Sequence, residues 1–294
     1  TLRLPPGAGG GGSEEFGLVS LLAVVYGKQG RLDDALRVHR RSLRELRRVH
    51  GDEHHEDVAT ALTTVGISLY NMGQYAEAMA KYEEAHEMFV GLHGEEHEDV
   101  AEVLGNMALV LGNQGRGAEG LAMQEKALDI KRRTFGSDDR DIAQPLLSLG
   151  KSYVNQGMLD EALARYEEGL GIVRRIHPER NVTEGCCLEG IGHIYHGQRR
   201  FEDALAWYGK AHRMYRKTVG PESEDVGRVV CNIARVLSRQ GKRDDSNEKF
   251  EEGLAIIRRA VGDEHPQVAD PLYSLAECKE EAGDLEGAIV CLRE

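Results

Sequence analysis

Arg228, Asn232, Arg235 and Arg239 stand at successive offsets of four, seven and eleven residues from the first of them, which places all four on one side of a helix. Guanidinium groups so arranged give charge-assisted hydrogen bonds to carboxylates, and an asparagine side chain can pair with a peptide N–H and C=O together. The chemistry is capture of an acidic, extended peptide. Sets at comparable spacing stand upstream: Cys186, Glu189, His193 and His196; Gln144, Ser148, Lys151 and Asn155; Glu102, Asn106, Leu109 and Asn113; Thr60, Thr64, Ile67 and Asn71. Asp270, Glu277 and Glu281 follow downstream. A shared face built from these sets is neutral and partly apolar at first, basic through its middle and acidic at its end. The expected binding residues are Asn106, Asn113, Lys151, Asn155, His193, His196, Arg228, Asn232, Arg235 and Arg239. Three charge-assisted bonds at roughly 1.5–3 kcal/mol each, less the ordering of the peptide, point to micromolar affinity. The competing expectation is a solvated face whose arginines pair with neighbouring acids.

Other reactive side chains invite plainer readings. His50, His54 and His55 cluster, as do His93 and His97, but these histidines recur at one linker position, so repetition explains them and no metal is expected. Acids that follow them favour a helix N-terminus through its dipole. Arg37, Arg40, Arg41, Arg44, Arg47 and Arg48 form a second basic stripe, expected to be a solvated outer face. The five cysteines show no Cys-x-x-Cys spacing, and adjacent Cys186 and Cys187 point in different directions on a helix, so they read as structural thiols in a reducing compartment. Gly7, Gly9 and Gly12 match a dinucleotide-binding spacing only because a glycine run satisfies it trivially. No nucleophile elbow, phosphate loop or His-Glu-x-x-His motif occurs, so neither catalysis nor a cofactor is expected.

The elements that must carry these side chains follow from a period. Gly30, Gly73, Gly115, Gly157, Arg199, Gly241 and Gly283 form a column whose separations are 43 and then 42 throughout. Seven residues upstream of it runs a small column of Ala23, Gly66, Ala108, Gly150, Gly192, Ala234 and Ala276. Five residues downstream runs another, Ala35, Ala78, Gly120, Ala162, Ala204, Ser246 and Ala288, with Tyr82, Tyr166, Tyr208 and Phe250 four residues beyond their columns. Apolar spacings of three and four around the first small column mark one helix, the glycine column a turn, and stretches such as DEALARYEEGLGIVRRI a second helix. Small residues sit where the two helices approach closely. The expectation is an all-α, right-handed solenoid of about seven helix-turn-helix repeats over residues 17–294, the last one truncated, after a Gly/Pro-rich flexible tether over 1–16.

The order small, small, aromatic, small in a 42-residue helix pair resembles the tetratricopeptide repeat (TPR), from about residue 18 to the end. Linkers such as GEEHEDVAEVL and GDEHPQVADPL narrow the likeness to the kinesin light chain subclass, shared with nephrocystin-type proteins. The resemblance implies a noncatalytic scaffold with a groove for acidic cargo peptides. It further implies a kinesin heavy chain partner, joined through heptad-patterned helices ahead of the repeats that these residues do not include. Asn106 and Asn232 match the family's inner-helix asparagines. Alternatives are a nephrocystin-like ciliary scaffold and the sensor or oligomerisation repeats of a larger signalling or nucleotide-switch protein.

Composition bounds these readings. Lys and Arg total 37 against 50 for Asp and Glu, a net charge of −13, which disfavours nucleic acid as a partner. The uncharged apolar stretch 16–27 is too short for the ~18 or more apolar residues of a membrane span, and no secretory signal is visible. A cytoplasmic location is expected, with microtubule or cilium association implied by the resemblance alone. The last repeat has no further helix behind it in these residues, so Leu285, Ile289 and Leu292 are expected to be exposed or covered by another chain.

Overall fold

The computed structural model describes residues 22, 25–27, 29–51, 54–136, 140–176, 181–281 and 283–293. The tether over 1–16 and most of the first helix of repeat one lie outside them. Every regular element among the described residues is helical. None of these helices is long and apolar enough to cross a membrane. The chain divides into two compact units, 1–134 and 135–294.

In the N-terminal unit, α1 (Leu32–His50) is followed by α2 (Glu56–Asn71), α3 (Tyr75–His93), α4 (Glu98–Asn113) and α5 (Gly117–Phe135). In the C-terminal unit, α6 (Arg140–Asn155) pairs with α7 (Leu159–Ile176), α8 (Val182–Gly197) with α9 (Phe201–Thr218), and α10 (Glu224–Arg239) with α11 (Arg243–Val261). A one-turn 3₁₀ segment at Pro266–Val268 leads into α12 (Ala269–Glu281), which pairs with α13 (Leu285–Arg293).

The sequence columns set these boundaries. The glycine column closes each first helix: Gly73 has φ 73°, its N–H donates to the Tyr70 carbonyl, and the next residue, Gln74, donates back to Leu69. This paired closure satisfies carbonyls left over at a helix end and needs a left-handed residue at its centre. Arg199 makes the same closure at φ 61°, with Arg199 N–H bonded to His196 and Arg200 N–H to Tyr195. It is the one described non-glycine residue with positive φ, and its Cβ is strained there. The starts of the first helices are capped by side chains at a 42-residue interval. His55 and His97 accept from the backbone N–H two residues on through Nδ1, Asn181 does so through its amide oxygen, Ser223 accepts from Val226, and His265 repeats the histidine cap. Capping, rather than catalysis, accounts for the linker histidines at 55, 97 and 265.

The small columns are where aromatic rings lie against backbone. A Cβ on Gly66 would fall 2.5 Å from the Tyr82 ring, one on Gly192 2.6 Å from Tyr208, and one on Gly150 3.1 Å from Tyr166. Each ring thus closes the helix pair over a residue with no side chain. Tyr82 and Tyr208 are fully buried, and burial of a ring of this size contributes about 1.5–3 kcal/mol. Gly253 stands where other repeats have Ala85, Ala127 and Ala211, and α10 and α11 nearly touch there: its Cβ would meet Cys231 Sγ at 2.5 Å and the Gly227 carbonyl at 2.8 Å. Leu285, Ile289 and Leu292 on α13 are exposed.

Candidate interaction face of the first helices

The residues singled out by spacing fall on α4 in the N-terminal unit and on α6, α8 and α10 in the C-terminal unit. On α4, Asn106 is half-buried and Leu109 exposed. Asn113 is exposed but engaged: its Nδ2 donates to the Tyr70 hydroxyl at 2.8 Å and to the Leu109 carbonyl at 2.9 Å, and the Tyr75 hydroxyl donates to its Oδ1 at 3.4 Å. A peptide amide would have to displace these bonds.

In the C-terminal unit the organising residue is Glu189, which spacing placed on the face but not among the binding residues. It is only 4% exposed, on the inner side of α8. Its carboxylate accepts from Asn232 Nδ2 at 2.8 Å and from the Tyr215 hydroxyl at 3.0 Å, and it pairs with Arg228 at 3.2 Å. His193 Nε2 lies 3.8 Å away, and the Nδ1 of the same ring shares a 2.9 Å bond with the Tyr208 hydroxyl. Burial alone would raise the Glu189 pKa, but the histidine, the Arg228 charge and the tyrosine hydroxyl outweigh it and hold the carboxyl below its ordinary value. The same network pushes the Tyr215 hydroxyl far up, through burial first and the Glu189 charge second.

This network divides the expected basic stripe. Arg228 spends its charge on Glu189 and Asp225, both within its own unit. The competing expectation of arginines paired with acids therefore holds at this position, although the partners are not the acids of the last repeat. Asn232 is 3% exposed and is bound to Glu189, so it braces the face from beneath. Arg235 is half-buried and among the described residues makes neutral contacts, donating to Asn232 Oδ1 at 3.0 Å and Ser274 Oγ at 3.2 Å. Arg239 and, on α6, Lys151 are exposed and have no acidic partner among the described residues. Asn155 is exposed on the turn after Lys151. His196 has a buried Nε2 with no hydrogen-bond partner among the described residues, and burial, then the charges of His193, Arg239 and Arg235, push its pKa down. It is a neutral ring beside two guanidinium groups. On α12, Ser274 and the largely exposed Tyr273 extend the face, ahead of exposed Glu277 and Glu281. Neither serine nor tyrosine belonged to the charged spacing that marked the other residues.

The remaining reactive groups are quiet. All five cysteines are free thiols; burial pushes Cys187 and Cys231 up to about 12, the opposite of an activated nucleophile. The arginine stripe of α1 is largely spent in ion pairs, Arg37 with Asp34, Arg40 with Glu77, Arg47 with Glu84 and Arg48 with Glu45.

Comparison with known proteins agrees with the helix-pair architecture. No curated protein matches the chain. Among solved structures it is similar to "Podosopora anserina putative kinesin light chain nearly identical TPR-like repeats" (TM-score 0.58, 15% identity, over 71% of this chain and 97% of that one). It is also similar to the Rap conjugation gene regulator of the plasmid pLS20 in complex with the Phr* peptide (TM-score 0.61, 16% identity, 81% and 72%). A third likeness is to PH0952 from Pyrococcus horikoshii, a STAND signal transduction ATPase with a tetratricopeptide repeat sensor (TM-score 0.63, 12% identity, 95% and 41%). At these identities the likeness is one of fold. The tetratricopeptide repeat family model matches residues 17–89, 57–112, 99–175, 185–259 and 229–294, and the chain belongs to the tetratricopeptide repeat family.

Proposed function

We propose that the chain is a noncatalytic protein-interaction scaffold whose C-terminal unit holds extended acidic peptide segments along the face of α6, α8 and α10. The observation that carries this reading is the pair Arg235 and Arg239, two guanidinium groups without a carboxylate partner among the described residues. Lys151, Asn155 and the neutral His196 complete the proposed contact set, with His193 at its edge; Asn106 offers an amide on the separate face of the N-terminal unit. Arg228 and Asn232 hold the floor of the site through Glu189. The Rap regulator bound to a peptide supports the use of such a repeat fold for peptide capture.

Attachment to a kinesin heavy chain through residues outside this chain, with a cytoplasmic and microtubule- or cilium-associated location, extends the same proposal. A sensor role within a larger signalling ATPase is the second reading; it draws on the match of 95% of this chain to 41% of PH0952. The experiment is fluorescence polarisation with labelled peptides of equal length and opposite charge. Micromolar binding of acidic peptides, weakening with salt and absent for basic ones, supports the proposal. Equal binding of both sets overturns it.

A further inference from the structure

Capping explains His55 and His97 but leaves His50 and His93 without a role. His50 is the last residue of α1, and its ring stacks on His55 with centroids 3.5 Å apart; His93 ends α3 and stacks on His97 at 4.2 Å. One carboxylate faces both rings in each linker. Asp57 Oδ2 lies 3.9 Å from His50 Nε2 and 3.8 Å from His55 Nδ1, and Asp99 Oδ2 lies 3.7 Å from His93 Nε2 and 3.1 Å from His97 Nδ1. In each triad the three donor atoms fall within 4.8 Å of one another.

We propose that these two triads are a matched pair of first-row transition-metal sites, each binding a zinc-like divalent cation through two imidazoles and a carboxylate, with water completing the shell. Ligands about 2.0–2.1 Å from a tetrahedral zinc ion stand roughly 3.3 Å apart. The carboxylate-to-imidazole separations are 3.7 and 3.1 Å in the second triad and 3.9 and 3.8 Å in the first, so the His97–Asp99 contact already meets that value and the others close by roughly half an ångström. Binding splays the stacked rings so that their lone pairs converge. The donor set selects zinc, copper, nickel or cobalt over magnesium and calcium, which prefer all-oxygen shells. All six side chains are partly exposed, between 25% and 39%, so an ion has a path in.

The caps do not oppose this. His55 and His97 accept from the Asp57 and Asp99 N–H groups at 3.2 and 3.4 Å, at or beyond the long end of the usual range, so a metal at Nδ1 displaces weak bonds. Nor does the fold require the triads. At the equivalent positions the last linker has Val261, His265 and Gln267 and the one before it Val219, Ser223 and Asp225, and both helix starts are capped. A metal would tie the end of α1 to the start of α2, and the end of α3 to the start of α4, across five- and four-residue connections.

The test is calorimetric titration of the untagged chain with zinc chloride, with cobalt absorption as a second readout of coordination. The informative variants are His50→Phe and His93→Phe, which keep a ring on the stack and remove its lone pair; Phe135 already occupies this column. Wild type is expected to take up two ions, each single variant one, the double variant none, and His265→Ala still two. Should a Phe variant misfold by circular dichroism, Asp57→Asn and Asp99→Asn serve in its place, each expected to weaken one site at least tenfold. Equal uptake by the wild type and the folded double variant overturns the proposal, as does a wild type that takes up no zinc.

Discussion

Replacing Glu189 by alanine tests the network beneath the interaction face. The substitution strands Asn232 Nδ2 and leaves the Tyr215 hydroxyl only the weak Cys186 Sγ acceptor at 3.3 Å, and each unsatisfied buried group costs about 1–3 kcal/mol. Arg228 adds little to this. Its side chain is 45% exposed, so water and Asp225 can replace the lost carboxylate. The expected loss for Glu189→Ala is therefore about 3–4 kcal/mol, within the range for breaking a buried pair. Glu189→Gln keeps an acceptor and a similar shape, so its expected loss is about 1 kcal/mol, the difference between charge-assisted and neutral bonds. Urea unfolding followed by circular dichroism and by the fluorescence of Trp207, the single tryptophan, reads both. Two variants within about 0.5 kcal/mol of the wild type, or a glutamine variant worse than alanine, would refute the placement of Glu189 as the hub.

Acid should act on the same residue. A carboxyl whose folded pKa is depressed contributes stability that is fully present above its unfolded pKa and is lost as pH falls through the folded one, so Glu189 predicts a loss of stability below about pH 4.5 that Glu189→Gln lacks. Comparison of melting temperatures between pH 6 and pH 3 checks it. Arg199→Gly relieves a left-handed arginine and is expected to stabilise the chain by about 0.5–1 kcal/mol, read as a rise in melting temperature; a fall would show that the arginine side chain contributes more than its backbone strain costs. Gly66→Ala and Gly192→Ala each push a methyl group into a tyrosine ring and are expected to destabilise by about 1–3 kcal/mol, whereas Gly105→Ala, with nothing near its Cβ, is expected to be neutral or stabilising in the same urea assay.

The period made much of the fold readable. A residue that must take positive φ and a small residue at a close helix approach are local demands, and each recurs at a fixed interval, so the columns at Gly73, Gly66 and Tyr82 disclosed them. Even Arg199 showed its left-handed turn through its column. Depth was harder to read. Helical spacing assigns Asn232 and Arg235 to one side of α10, but the first is buried and the second half-buried, because neighbouring α8 presents Glu189 to one and not the other. Asn113 looks free in the sequence and is held by two tyrosines, Tyr70 lying 43 residues upstream. The histidine repetition marked the linkers without showing that His55 and His97 cap the next helices, and the meeting of His50 with His55 and Asp57 is likewise a matter of three-dimensional packing.

The proposed peptide-binding face is tested most directly by reversing its two uncommitted guanidinium groups. The Arg235→Glu/Arg239→Glu double variant should stay folded, with a lowered melting temperature that reflects the two neutral bonds Arg235 makes to Asn232 and Ser274, because neither residue pairs with a carboxylate among the described residues. Its affinity for an acidic peptide should fall at least about a hundredfold, given roughly 1.5–3 kcal/mol for each charge-assisted bond. A folded double variant that binds the acidic peptide as tightly as the wild type would contradict the assignment of this face.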